Sequence, residues 1–235
     1  MTAPLAVRNV SKRFGGSPAL HDVGFDAEPG EVLGLIGPNG SGKTTLFECL
    51  AGLLSADSGD VRFHGRALPP GRRKEALFYV PDGIAPWPDQ PLGAALSFFS
   101  ALNSSRRLVG DLVDALGLAA HVGQRMGALS KGQTKRALLA LGLLTPQPVL
   151  LVDEPFDGLD LRQAREVMSL LREEKTRRGR TLVLSIHQLA DAARVCDRFV
   201  LLSNGRVAGE GDLVALRGTA GALSDSLEEI FLALT

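Results

Sequence analysis

An α/β fold arranged around a phosphate-binding loop is what this sequence predicts, and three observations carry the prediction. First, Gly37-Pro38-Asn39-Gly40-Ser41-Gly42-Lys43-Thr44-Thr45 has one glycine, four residues and then Gly-Lys-Thr, between the apolar run 31–36 and a stretch with helical spacing. Second, Val149-Leu150-Leu151-Val152 carries two adjacent carboxylates, Asp153 and Glu154, to the end of a buried strand. Third, further buried runs at 77–80 and 181–186 are separated by helical stretches.

The loop has a physical logic. Glycines let the backbone curl so that successive N–H groups point inward, leaving a concavity for anions. The helix that starts near Lys43 adds its unpaired N–H groups and the positive end of its dipole. Lys43 is placed to neutralise outer phosphates, and the Thr44 hydroxyl to ligate the Mg²⁺ that accompanies them.

The whole chain narrows the classes. At 235 residues it suits one large domain, with 45% hydrophobic residues for a core and a formal net charge of zero. Its arginines are scattered, so a nucleic-acid partner is not expected. The longest apolar run, 137–152, is interrupted by Thr145-Pro146-Gln147-Pro148 and does not read as a membrane span. No charged-then-apolar leader opens the sequence, and Cys49 and Cys196 lack metal spacing. They read as free thiols in apolar helical segments of a cytoplasmic protein.

In order, 5–14 alternates as a strand, Gly15-Gly16 turns it, 20–28 is a second strand, and Pro29-Gly30 turns into the strand before the loop. The short connections predict an antiparallel meander. Phe14, at the end of the first strand, suits either adenine stacking or the core. Residues 59–65 form a short strand with His64 on the surface at its end, and Arg72-Arg73-Lys74 a solvated basic turn. After 77–80 come Pro81-Asp82-Gly83 and then Pro86, Pro88 and Pro91 around the only tryptophan, Trp87.

From Leu92 to Leu118 the pattern is helical, with Gly110 and Gly117 as weak points, which predicts a helical subdomain inserted at about 84–145. Ser130 is placed as N-cap of a helix over 133–144, leaving N–H groups to face an anion. Asp153 can hold the Mg²⁺ water shell, and Glu154 can polarise an attacking water. A loop at 155–160 leads to a helix over 161–178. His187 leaves the strand 181–186 as either a γ-phosphate contact or a satisfied structural histidine. Asn204-Gly205 turns a hairpin between 198–203 and 206–210, and helices close the chain at 212–217 and 225–234.

With these pieces in order, the chain resembles the nucleotide-binding subunit of an ABC transporter, from about Leu5 to Thr235. Gly37–Thr45 matches the Walker A motif and Val149–Glu154 the Walker B motif with its catalytic glutamate. Leu129–Gln133 is similar to the signature Leu-Ser-Gly-Gly-Gln, with Lys131 replacing the middle glycine. Leu159-Asp160 matches the D-loop, His187 the switch histidine and Phe14 the adenine-stacking aromatic. Tyr79-Val80-Pro81 is followed by Asp82 where the family has a Mg²⁺-contacting glutamine. The tail 226–234 is similar to subunits of drug- and antibiotic-type export systems.

The resemblance implies a P-loop NTPase core with an N-terminal antiparallel β subdomain and an inserted helical one. It implies an ATPase with ATP and Mg²⁺, active as a head-to-tail dimer. Walker A of one chain would meet Ser130, Gly132 and Gln133 of the other, with Asp160 beside them. Glu154 and His187 would be catalytic, and Thr44, Asp82 and Asp153 would face the metal. A separate membrane-spanning permease would hold the subunit on the inner face of the membrane, contacting a groove bounded by 82–90 and the helical insert. There Trp87 is either an anchor or a core residue. The competing class is a soluble ABC ATPase acting on nucleic acid or ribosomes. Those relatives usually carry two cassettes, a coiled-coil insertion or zinc cysteines, which this sequence lacks. A P-loop kinase or GTPase is disfavoured by Leu129–Gln133 and the Asp153-Glu154 pair.

Overall fold

The computed structural model describes residues 4–105, 107–221 and 226–235. Its centre is a six-stranded sheet. Five strands are parallel: β3 (Val32–Ile36), β6 (Leu77–Val80), β7 (Val149–Asp153), β8 (Thr181–Ile186) and β9 (Arg198–Ser203). β10 (Arg206–Gly211) returns antiparallel at the edge, giving the order β10-β9-β3-β8-β7-β6. β3, β7 and β8 are buried along their whole length. A parallel strand covered on both faces requires such uninterrupted apolar runs.

Alternation along those strands splits the core in two. Leu33, Leu35, Val149, Leu151, Val183 and Val200 face one layer. It comprises α1 (Lys43–Ala51) and a second, antiparallel sheet of β1 (Leu5–Phe14), β2 (Ser17–Ala27), β4 (Ser58–Phe63) and β5 (Arg66–Ala67). Val32, Ile36, Leu150, Val152, Leu182 and Leu184 face the other. There α2 (Leu92–Leu102), α3 (Val109–Ala115), α4 (Lys131–Leu143), α5 (Leu161–Arg178) and α6 (Leu189–Val195) pack, with α7 (Leu213–Ala220) and α8 (Leu227–Leu234) at the end.

Several expectations need correction. The opening meander stops at two strands, because β3 leaves β2 and enters the central sheet. Its two-sided burial decides this, since an outer antiparallel strand would leave one face to solvent. The helix expected over 92–118 breaks at Asn103, with Ser104 in the left-handed region at φ 48°, while of the two expected weak points Gly117 (φ 60°) closes α3 and Gly110 lies inside it. Asn and Ser bond to nearby backbone and so compete with the helix, and here Asn103 Nδ2 donates to Phe99 O. Cys196 sits just past the end of α6 rather than inside a helix. Its sulfur packs where a Cβ on Gly34 would stand, 2.9 Å away. Both thiols are free, and burial pushes that of Cys49 up to about 11. The closing helix begins at Leu227, and Asp225, its expected start, lies outside the described residues. His64 is an exposed residue in a two-residue turn between β4 and β5, as expected.

Among the described residues no helix is long and apolar enough to cross a membrane.

Candidate nucleotide site

β3 delivers its loop to the C-terminal edge of the parallel strands, where α/β ligand sites lie. A Cβ on Gly37 would stand 2.3 Å from the Leu202 carbonyl and 2.5 Å from Ser41 Oγ, so the loop can start only with glycine. Gly40 (φ 81°) and Gly42 (φ 105°) adopt left-handed backbone that other residues rarely take. Gly42 caps α1 without any side chain covering the first-turn N–H groups, which stay available to an anion. The curl is locked by Ser41 N donating to Pro38 O (3.2 Å) and Gly205 N donating to Ser41 O (3.1 Å).

Lys43 is only 6% exposed, and its ammonium donates to the carbonyls of Gly37 (2.8 Å) and Pro38 (3.2 Å). It also lies 3.5 Å from Glu154 Oε1. Thr44 Oγ1 donates to Asp153 Oδ2 at 2.9 Å, joining the loop to the end of β7. The same oxygen accepts from the Tyr79 hydroxyl at 3.1 Å, while Ser185 Oγ donates to Asp153 Oδ1. Three hydroxyls thus fix one buried carboxylate. Burial, then the adjacent Asp153 charge, raises the Tyr79 pKa far above its ordinary value, so it remains a donor.

Glu154 turns out of β7 with φ 48°. Its N–H donates to Ser185 Oγ (3.0 Å) and to Ser185 O (3.1 Å), which hold this strained backbone in place. Its Oε2 is 2.6 Å from His187 Nδ1. A carboxylate held between an ammonium and an imidazole at the mouth of a phosphate loop has the placement of a general base for water.

A cleft lined by Ala19, Lys43, Thr44, Asp82, Asp153 and Glu154 opens over the loop. Its donors are hard oxygens, threonine hydroxyls and carboxylates, which suit Mg²⁺ brought in with a phosphate and keeping several waters. Gly40 lines this cleft, and a Cβ there would meet nothing within 4 Å, so the loop is uncovered at that point. The residues present therefore fit a Mg²⁺–polyphosphate.

Other expected site residues lie elsewhere. Ser130, Gly132 and Gln133 do not line this cleft. Ser130 caps α4 in a reciprocal box, its Oγ accepting from Gln133 N (3.3 Å) and its N–H donating to Gln133 Oε1 (2.8 Å). Part of the first turn expected to face an anion is thus satisfied within the chain. A Cβ on Gly132 would stand 2.9 Å from Gly158 O, which makes that glycine a packing requirement. Asp160 likewise caps α5, its carboxylate accepting from Gln163 N at 2.8 Å. Phe14 is 50% exposed and not among the residues lining the cleft, with Lys12 Nζ 5.6 Å from its ring centre. Trp87 is 40% exposed and packs edge-on against Phe98.

Sequence reasoning did not assign Tyr79 and Ser185 to Asp153. Two signals pointed there: Tyr79 is the chain's one tyrosine, and Ser185 is a lone hydroxyl in an apolar run ending a strand.

The chain belongs to the ABC transporter family, whose model matches residues 20–157. It is an ATP-binding subunit of that type and an ATPase. It is similar to a Nod factor export ATP-binding protein I of Burkholderia orbicola, 34% identical over 216 residues that cover 89% of this chain and 71% of the other. The aliphatic sulfonates import ATP-binding protein SsuB of Cupriavidus necator is 34% identical over 225 residues, covering 92% and 73%. Among solved structures, an ATP binding subunit of an ABC transporter superposes with a TM-score of 0.89 at 30% identity, covering 99% of both chains.

Proposed function

We propose that this subunit drives a separate membrane permease, working as a head-to-tail pair in which each cleft is completed by Ser130–Gln133 of the other copy. The observation that carries the reading is the split: Lys43, Thr44, Asp153 and Glu154 share a cleft from which Ser130, Gly132 and Gln133 are absent. The loop and the α1 N-terminus bind the β- and γ-phosphates of ATP, with Lys43 Nζ turned from its two carbonyls toward them. Ala19 lines the cleft, and the exposed ring of Phe14 is the surface on which the base would stack. Thr44 and Asp153, with Asp82 across the cleft, would hold Mg²⁺, which when bound neutralises phosphate charge. Glu154 takes the proton of the attacking water, and His187 holds the carboxylate through its Nδ1 contact. Asp160 sets the start of α5 against the facing copy.

The permease contact is proposed at the groove lined by Trp87, Gln90, Ala94, Ala95 and Phe98, beside Ile84. Ile84, Trp87 and Phe98 are 48%, 40% and 59% exposed, an apolar surface fit to receive an amphipathic helix. That contact would place the subunit on the inner face of the membrane. Export is the favoured direction, supported by the likeness of the 226–234 tail to export subunits, while relatives named for import match equally well.

Glu154→Gln tests the centre of this reading. Turnover is expected to fall roughly 10²–10⁴-fold, with MgATP binding retained and a dimer accumulating in gel filtration. Retained hydrolysis would remove Glu154 as the base, and a peak that stays monomeric with MgATP would remove the paired site. Copurification with the permease, lost on Trp87→Ala with Phe98→Ala, tests the groove.

A further inference from the structure

The loop after β6 and the start of α4 are joined by charge. Lys131 and Lys135, one turn apart on α4, each meet a carboxylate from a core loop: Asp157 at 2.6 Å and Asp82 at 2.5 Å. The two pairs differ in burial. The Lys131 side chain is 65% exposed, so solvent screens its pair, whereas that of Lys135 is 5% exposed. Among the described residues Asp82 is the only carboxylate within ion-pair distance of Lys135.

Asp82 lines two hollows at once. One is the phosphate cleft, with Lys43, Thr44, Asp153 and Glu154. The other runs along α4, with Lys131, Thr134 and Lys135. In the cleft three carboxylates face one ammonium, so an entering polyphosphate meets net repulsion unless one carboxylate is neutralised. Lys135 is the cation in place to do that, and it comes from the helix that carries Ser130–Gln133.

We propose that Lys135 is a positioning residue for nucleotide binding, which cancels the charge of Asp82 toward the incoming phosphates. The proposal rests on the cleft being the nucleotide site. It makes the affinity for metal-free ATP follow the net charge of the 82/135 pair and not the integrity of the contact. The pair is neutral in the wild type, negative in Lys135→Gln, positive in Asp82→Asn and neutral again in the double variant.

The test is calorimetric titration of the full chain with ATP in EDTA, at low and at physiological salt. Lys135→Gln is expected to weaken binding about 5–10-fold, and Asp82→Asn to tighten it about 3-fold or more, as for a single charge near a partly exposed site. The double variant returns to within about 2-fold of wild type, and the differences shrink as salt rises. A merely structural pair gives a different pattern, with both single variants and the double binding alike or weakening together. Unchanged affinity in Lys135→Gln, or a double variant as weak as Lys135→Gln, overturns the proposal. If Lys135→Gln does not fold, Asp82→Asn decides alone, because unchanged affinity there overturns it too. Wild-type protein that binds no ATP removes the nucleotide site itself, a result distinct from ATP binding that ignores residues 82 and 135.

Discussion

The loop at 37–45 and the helix start at 130–133 are the two helix ends that the proposed function turns toward phosphate, yet their N–H groups are treated in opposite ways. α1 begins at Gly42 with no side chain over its first turn. α4 begins at Ser130 with a reciprocal cap, Gln133 bonded both to Ser130 and to His121 at 3.1 Å. The first end lies in the cleft with Lys43, Asp153 and Glu154, and the second stands outside it. One end therefore carries its phosphate-facing groups within a single chain, while in the proposed pair the other would act on the nucleotide of the facing copy. On the proposed function, the difference would separate residues whose loss abolishes binding from those whose loss abolishes only turnover.

Lys43→Ala should break the first end most severely. It removes the one ammonium that faces the phosphates, and MgATP affinity is expected to fall roughly 10²-fold, as for loss of a charge-assisted contact in a partly closed site. Filter binding or calorimetry on folded protein checks this, and equal affinity would end the assignment of the loop. Ser130→Ala probes the other end. It costs about 1 kcal/mol of stability through the lost cap, leaves ATP binding by the monomer unchanged, and lowers turnover about tenfold or more if the helix start acts on the facing chain. Weakened binding by the isolated monomer would contradict the split between the two ends.

Tyr79→Phe sharpens the picture of the first end. It deletes one of three hydroxyls on Asp153, so turnover should drop several-fold and stability by about 1 kcal/mol, with ATP affinity measured in EDTA unaltered. The smallest effect belongs to Lys131→Ala. The Lys131 ammonium beside Asp157 holds that carboxyl below its ordinary 3.8. Being depressed in the folded state, the carboxyl contributes stability that is present above pH 3.8 and lost as pH falls through its lower folded value. The variant should thus melt slightly earlier than wild type at neutral pH, a small difference because the pair is solvent-screened. The two melts should converge as pH falls below about 3.8 and Asp157 protonates. A difference that persists undiminished well below pH 3.8 would show that Lys131 does more than pair with Asp157.

How much of this was legible follows from distance along the chain. The loop is a local device, since glycine spacing, the strand before it and the helix after it all fall within 31–51, and the sequence reading and the structure agree there. The carboxylate pair was equally plain, because four apolar residues can only bring Asp153 and Glu154 to a strand end. The hydroxyls that hold Asp153 were not, for their roles arise from pairing between strands. Ser185 is opposite Asp153 because β7 and β8 run parallel in that register, and nothing local sets it. The pairing of Asp82 with Lys135 across 53 residues was out of reach for the same reason. β3 was assigned to the wrong sheet because a short connection outweighed its two-sided apolar character. Asn103-Ser104-Ser105 held the signal for the helix break, and glycine at 110 drew attention from it.

The loop around Lys43 also bears on the thermodynamics of capture. Its backbone is already pinned by Ser41 N donating to Pro38 O and Gly205 N donating to Ser41 O, so that only the Lys43 side chain has to leave its carbonyls. A triphosphate would thus meet a receptor that is rigid beforehand and loses little conformational entropy on association. Affinity in such a receptor reports charge and geometry with little penalty for ordering. Binding should then be enthalpy-led, with backbone amide exchange in the loop slow both before and after the nucleotide arrives.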